Sequence, residues 1–184
     1  MKPKRVIIVH GWDGFPEEAW FPWLKRELEK NGVKVDVPQM PSPELPVMEK
    51  WVPHLAKTVG KPDGSTCFVG HSCGCITILR YLEKLPAGAK IGKAVLVAGF
   101  TDNLGFKELD NYFQKPIDWK NIKSHCKDFV AIYSDNDQYV PVAHAEIFKK
   151  ELGAKVIVEH GKKHMGGNDG ITELPSVLDA LLKG

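Results

Sequence analysis

No apolar run in this chain approaches the ~20 residues that a membrane-spanning helix needs, and no block of lysine or arginine offers a footprint for nucleic acid. The formal charge of +2 is spread over 184 residues, so neither nucleic acid nor a membrane surface is expected as a partner. The start, Met1-Lys2-Pro3-Lys4-Arg5, leads into a short β-branched run rather than the longer apolar core of a signal peptide, and a cytoplasmic location is the expectation. Cysteine is sparse as well. Cys67, Cys73, Cys75 and Cys126 make neither a small-domain disulfide framework nor a C-x-x-C pair. Cys73 and Cys75 occupy turn positions that point apart, with no third ligand in view, which argues against a metal. Internal repeats, low-complexity tracts and interdomain linkers are missing too, so residues 1–184 are expected to form one domain large enough to bury a two-sided sheet.

What the chain does contain is short β-prone runs alternating with helical periodicity. Arg5 to Val9 has no polar alternation, as expected of a parallel strand covered on both faces. Further strands are expected at Val33 to Val37, Thr66 to Val69, Lys93 to Ala98, Asp128 to Tyr133 and Lys155 to Glu159. Between them the apolar spacing predicts helices over Glu17 to Lys30, Val47 to Val59, Cys75 to Leu85 and Val142 to Leu152, with a closing helix over Glu173 to Leu182. Pro22 should delay the first of these, and Pro53 should bend the second or delay it. Such alternation implies a doubly wound parallel α/β sheet. Gly99 to Lys127 shows no clear periodicity but carries Phe100, Leu104, Phe106, Tyr112, Phe113 and Trp119. A long irregular segment of this kind is either a flap over a substrate or a loop anchored by its aromatics.

The chemistry is expected at Gly70-His71-Ser72-Cys73-Gly74, where a strand runs into a helix. A serine between two glycines at that junction has the form of a nucleophile elbow. The turn is tight enough to admit only glycine at the flanks, and the hydroxyl is presented at the helix N-terminus, where free N–H groups can hold an oxyanion. A serine needs a base, and the base needs an acid to fix its tautomer. On this kind of sheet the order is Ser, then Asp or Glu, then His, each after a strand. After the fifth strand come Asp135 and Asp137; Asp137 is preferred because Val140-Pro141 follows it into a helix. After the sixth come His160 and His164; His164 is preferred because it sits deeper in a glycine-rich, flexible loop that could reach back to Ser72. His10, His54, His71, His125 and His144 are expected to be structural or solvated. The second oxyanion donor should come from His10-Gly11-Trp12 after the first strand, so the N–H groups of Trp12 and Cys73 are the expected pair.

Together the Trp20-Phe21-Pro22-Trp23-Leu24 block, Gly70 to Gly74, Asp137 to Pro141 and His164 resemble the small serine hydrolases of the α/β-hydrolase superfamily that include retinoblastoma-binding protein nine and many bacterial predicted esterases. The resemblance implies a minimal α/β-hydrolase fold, a single three-layer α/β/α sandwich with a six-stranded parallel sheet in the order 2-1-3-4-5-6. It places the triad on Ser72, Asp137 and His164. The Leu-x-Cys-x-Glu pattern associated with binding the retinoblastoma protein is absent here, so that partner is not carried over. The expected activity is hydrolysis of small carboxylic esters, less readily amides, through an acyl-enzyme, without a cofactor, by a monomer or weak homodimer. Phe15, Phe100, Leu104, Phe113, Tyr139 and Met165 are candidates for an apolar pocket, beside Trp12, though core packing would explain each of them nearly as well. The rival readings are a non-catalytic binding module on the same scaffold and an acyltransferase of the same superfamily.

Overall fold

The computed structural model describes residues 2–183. Six parallel strands form one sheet: β1 (Arg5–Val9), β2 (Lys34–Asp36), β3 (Thr66–His71), β4 (Lys93–Val97), β5 (Phe129–Ser134) and β6 (Lys155–Glu159). Their order across the sheet is β2-β1-β3-β4-β5-β6. The helices are α1 (Phe21–Lys30), α2 (Met48–Val59), α3 (Cys73–Leu82), α4 (Asp110–Phe113), α5 (Trp119–His125), α6 (His144–Leu152) and α7 (Pro175–Leu182). This is the expected three-layer α/β fold. Because the chain runs from β1 to β2 on one side and then crosses back to β3 on the other, the ends of β1 and β3 border the crevice where open α/β sheets bind ligands.

Strand alternation sorts the core into two layers. Ile7, Val9, Phe68, Leu96 and Ala131 face a layer that contains Trp51, Leu55, Ile76, Leu79, Tyr112 and Phe148, contributed by α2 to α6. Val6, Ile8, Val69, Val95, Val97, Val130 and Ile132 face the other, where Phe21, Leu24, Leu28, Val177 and Leu181 come from α1 and α7. The central strands therefore carry unbroken apolar runs because both of their faces are covered. The edge strand β6 keeps Val158 exposed.

The structure decides between two alternatives left by the sequence and corrects a third reading. Of the two effects expected of Pro53 the late start is not seen: α2 runs through it from Met48, and Trp51, Val52, Leu55 and Val59 on its buried face offset the one missing backbone bond. Residues 99–127 are not a single irregular loop, for they contain a 3₁₀ turn at Lys107–Leu109 followed by α4 and α5. These helices are too short to show a period in sequence. Their middle is fastened to α3: the buried Arg80 guanidinium donates to the carbonyls of Tyr112 and Lys115 (Nη2, 2.6 Å to each), and the Tyr112 hydroxyl pairs with Thr77 Oγ1 at 3.0 Å. Asn111 ties the same region to the first residue of α2 by accepting the Met48 N–H at 2.7 Å. The aromatic residues thus serve partly as anchors, while the first third of the segment faces the cleft described next.

Candidate active site

The turn from β3 into α3 forces an unusual backbone. Ser72 has φ 52° and ψ −119°, a strained conformation for a residue with a Cβ, of the kind that clusters at functional sites. The turn is crowded as well: a Cβ on Gly74 would overlap the Val9 carbonyl oxygen, and one on Gly70 would stand 2.8 Å from the Cys75 nitrogen. Glycine at both flanks is therefore a steric requirement. Its consequence is that Ser72 opens α3 with its side chain in a cleft of about 410 Å³ at the strand ends.

Two backbone N–H groups beside it have no acceptor among the described residues. In the loop after β1, Asp13 N–H donates to the Pro43 carbonyl at 2.7 Å and Gly14 N–H to that of Gly11 at 3.2 Å, whereas no turn or loop bond uses that of Trp12. Cys73 is the first residue of α3, so its N–H has no carbonyl one turn earlier to bond. The Cys73 thiol is no rival nucleophile, since burial pushes it up to about 12.

The strand ends place two aspartate–histidine pairs side by side, and the structure distinguishes them. Asp137 Oδ2 accepts from His164 Nδ1 at 2.8 Å, with 1% and 15% of the two side chains exposed. Asp137 Oδ1 accepts the N–H groups of Tyr139 and Val140 at 2.8 and 3.0 Å. Burial alone would raise the Asp137 carboxyl, but the His164 ring and those two N–H donors outweigh it and hold the group below its ordinary value. Asp135 and His160 are joined at 2.7 Å, yet 45% and 85% of their side chains are exposed and neither lines the cleft. With Nδ1 committed to Asp137, His164 has Nε2 left for the cleft that Ser72 also lines. Among the described residues no hydrogen bond joins Nε2 to Ser72 Oγ, a contact that often tightens only when substrate binds.

The glycine-rich loop that carries His164 is held far more firmly than its composition suggests. Lys162 N–H donates to Ser134 Oγ at 3.0 Å and Lys163 N–H to Asn136 Oδ1 at 2.8 Å. The next two carbonyls accept from side chains: His164 from His71 Nε2 at 2.9 Å, and Met165 from Trp20 Nε1 at 2.9 Å. A carbonyl can only accept, so His71 carries its proton on Nε2. Burial and the neighbouring His164 ring push its pKa down to about 3, leaving Nδ1 a bare lone pair. The residue before Ser72 is therefore a neutral strut for the histidine loop. His10 is neutral as well, lowered by burial, and takes the Met40 N–H on Nε2 at 2.9 Å.

The cleft wall corrects part of the expected pocket. Phe100, Leu104 and Tyr139 line it together with Trp12, Phe106, Leu109 and Val140. Met165 does not, because it is fully buried in the α1–α7 core layer, where it anchors the loop. Phe113 packs against the opposite layer, and Phe15 lies outside the cleft with 49% of its surface exposed. Sequence reasoning missed the polar wall: Asp13, Glu18, Gln138, Asn168 and Asp169. No spacing rule singles these out, because three separate loops bring them together.

Glu18 stands out physically. Burial first, then Asp13, raises its carboxyl from 4.5 to about 7, against the opposing pull of the Phe15 N–H and of His164. An acid whose folded pKa is raised costs stability as pH climbs from the unfolded value to the folded one. Glu18→Gln should therefore unfold with a free energy higher than wild type on the order of 1 kcal/mol at pH 8, after discounting for its half-exposed position. The gap should close below the ordinary glutamate value, and denaturant titrations at the two pH values check this.

A doubly wound parallel sheet with a strained serine at the β3–α3 turn and a buried aspartate–histidine pair facing the same cleft defines an α/β-hydrolase-type protein. The comparisons with known proteins make this more particular: the serine hydrolase family model matches residues 6–183, and the chain belongs to that family of enzymes. It is 36% identical over 180 residues to the hydrolase YdeN of Bacillus subtilis (strain 168), covering 97% of this chain and 94% of that protein. The crystal structure of the B. subtilis ydeN gene product superposes with a TM-score of 0.92 at 35% identity, over 97% of this chain and 96% of that one. The serine hydrolase RBBP9 of Rattus norvegicus is 28% identical over 185 residues, 98% of this chain and 96% of that protein. Est1E from Butyrivibrio proteoclasticus, at 16% identity and a TM-score of 0.76 over 98% of this chain and 86% of that one, shares the fold.

Proposed function

We propose that this serine hydrolase cleaves small carboxylic esters, and amides less readily, through an acyl-enzyme on Ser72. The observation that carries the reading is the 2.8 Å bond between His164 Nδ1 and the buried Asp137 carboxylate, at the rim of the cleft that Ser72 occupies. In the first half-reaction Ser72 Oγ attacks the ester carbonyl carbon while His164 Nε2 takes the hydroxyl proton. The carbonyl oxygen becomes an oxyanion held by the N–H groups of Trp12 and Cys73, each worth on the order of 10² to 10³ in rate. Collapse breaks the bond to the alcohol, which leaves with the proton from His164. Water then attacks the acyl-serine, gives its proton to His164, and releases the acid as Ser72 recovers its hydrogen. Asp137 keeps the imidazole in the one tautomer that can accept from Ser72 and stabilises the cation that forms.

The pocket supports a small substrate. Phe100, Leu104, Phe106 and Leu109 offer an apolar side for an acyl chain, and Trp12 packs edge-on against Phe106 with ring centroids 5.8 Å apart. The test is labelling with a fluorophosphonate. Intact-protein mass should rise by one phosphonyl group, peptide mapping should place it on Ser72, and labelling should abolish turnover of p-nitrophenyl esters. An unlabelled Ser72 in a folded, ester-cleaving protein would overturn the mechanism.

A further inference from the structure

The sheet has two edges, and they are finished differently. The edge strand β2 is three residues long, and its Asp36 is taken by Arg5 at 2.7 Å. A short edge with its charge already paired resists joining another chain. The edge strand β6 is five residues long, Lys155-Val156-Ile157-Val158-Glu159, and its register with β5 is unbroken. It contains no proline or glycine, its three central residues are aliphatic, and Val158 is exposed. On the two faces of the sheet α6 packs over β5 and β6, and α7 over β4 and β5, so among the described residues no helix is placed outside β6.

The outer side of β6 follows from the bonds on its inner side. The Glu159 carbonyl accepts the Asp135 N–H at 3.1 Å. In a ladder every second residue turns its peptide groups to the neighbouring strand, so Lys155, Ile157 and Glu159 face β5 with theirs. Val156 and Val158 turn theirs outwards, and among the described residues no turn or loop bond uses them. The side chains alternate as well: Val156 packs against the layer of α2 to α6, and Ile157 against that of α1 and α7. Lys155, Ile157 and Glu159 therefore share one face, and Val156 and Val158 the other. Reversed end for end, this strand is its own complement, with a positive end, three aliphatic residues and a negative end.

We propose that β6 is a self-association edge, at which two copies of this chain pair antiparallel about a twofold axis through Ile157. In that register Lys155 faces Glu159 of the partner subunit, and Val156 faces Val158 of the partner subunit; the symmetry makes each contact twice. Val156 and Val158, whose peptide groups point outwards, fall at the pairs that exchange both N–H···O bonds. Ile157 and the Lys155–Glu159 pairs fall at the alternate positions, where facing Cα atoms are about 4.5 Å apart and side chains come closest. Opposite charges at such a pair are favourable and like charges are not. Sliding the copies by two residues either way would set a charge opposite Ile157, so the pattern specifies one register. A formal charge of +2 on 184 residues adds little repulsion between copies. This surface is independent of the catalytic reading.

Sedimentation equilibrium of the full chain up to about 500 µM should show a monomer–dimer equilibrium, with a Kd on the order of 10⁻⁵ to 10⁻⁴ M for so small an interface. Lys155→Glu alone, and Glu159→Lys alone, set like charges face to face at both ends of the paired strands and should each raise Kd about 10-fold. Mixing the two single variants restores opposite charges at every pair, and the mixed dimer should bind within about 3-fold of wild type. Circular dichroism checks that each variant is folded. Ile157→Cys sets two thiols across the axis at a separation that a disulfide can bridge. With oxidised glutathione it should run as a covalent dimer on a non-reducing gel, while wild type, whose four cysteines are buried, should not. A wild type that stays monomeric at about 500 µM, well above the expected Kd, would overturn the proposal. So would a dimer that ignores both charge reversals and whose Ile157→Cys form does not cross-link, because another surface would then hold it.

Discussion

Ser72→Ala is expected to lower kcat for ester hydrolysis by about 10⁵- to 10⁶-fold while the protein stays folded. The size follows from the role proposed for the hydroxyl: without it no acyl-enzyme would form, and neither the proposed base nor the proposed oxyanion donors would have a bond to build. A residual rate above that of water is expected, because the N–H groups of Trp12 and Cys73 can still polarise a bound carbonyl. Stability should change by less than about 0.5 kcal/mol. The turn owes its shape to Gly70, to Gly74 and to the Ser72 N–H bond to the Val97 carbonyl at 2.9 Å, none of which involves the hydroxyl. Alanine has the same Cβ as serine, so the strain at φ 52° is carried equally by both. Steady-state kinetics with an activated ester, beside circular dichroism and a thermal melt, check both halves. A variant that kept even a hundredth of the activity would need a different nucleophile, and the buried Cys73, held protonated by its surroundings, offers none.

The sequence made some of this legible and hid the rest for physical reasons. Strand runs bounded by turn residues set the sheet, and β6 falls on the expected residues, Lys155 to Glu159. The elbow is legible because sterics leave so few choices there. Position along the strands also narrows the acid and the base to two candidates each, since both must follow a strand in a set order. What sequence does not reveal is burial. Asp135 and Asp137 are equivalent in type and two residues apart, yet one faces solvent with His160 and the other is enclosed with His164. Met165 illustrates the same limit. An apolar residue beside His164 reads equally well as a pocket wall or as a core anchor, and in the structure Met165, in a stretch where Lys163 and Met165 both have positive φ, lies inside the core. Loop rigidity is hidden too. His71 and Trp20 lie 93 and 145 residues from the carbonyls they hold, and no local pattern announces such bonds. Glu18 was invisible for a related reason: a glutamate in the first turn of an expected helix reads as a solvated charge until the loops of Gly14 and Gly167 close around it.

Asp137→Asn is expected to lower kcat by about 10⁴-fold with little change in KM. The structure fixes why so small a change should matter. Oδ1 of Asp137 accepts two backbone N–H groups, from Tyr139 and Val140, and only an oxygen can replace it there. The asparagine amide must therefore turn its NH₂ towards His164. An amide NH₂ donates and cannot accept, so His164 Nδ1 has to present a lone pair, and the ring proton moves to Nε2. In that tautomer Nε2 aims a hydrogen at the cleft and cannot take the proton from Ser72. The geometry of the site survives while its chemistry is lost. Asp135→Asn is the control: its carboxylate bonds His160 and the Gly161 N–H in solvent, so its removal should change kcat by no more than a few-fold. Stability provides an independent readout. A carboxyl held below its ordinary value contributes stability that is present above the unfolded value of 3.8 and is lost as pH falls through the folded one. Wild type should therefore be more stable than Asp137→Asn near neutral pH, and the difference should shrink in acid. Collapse of kcat in Asp135→Asn with activity kept in Asp137→Asn would move the acid to the other pair.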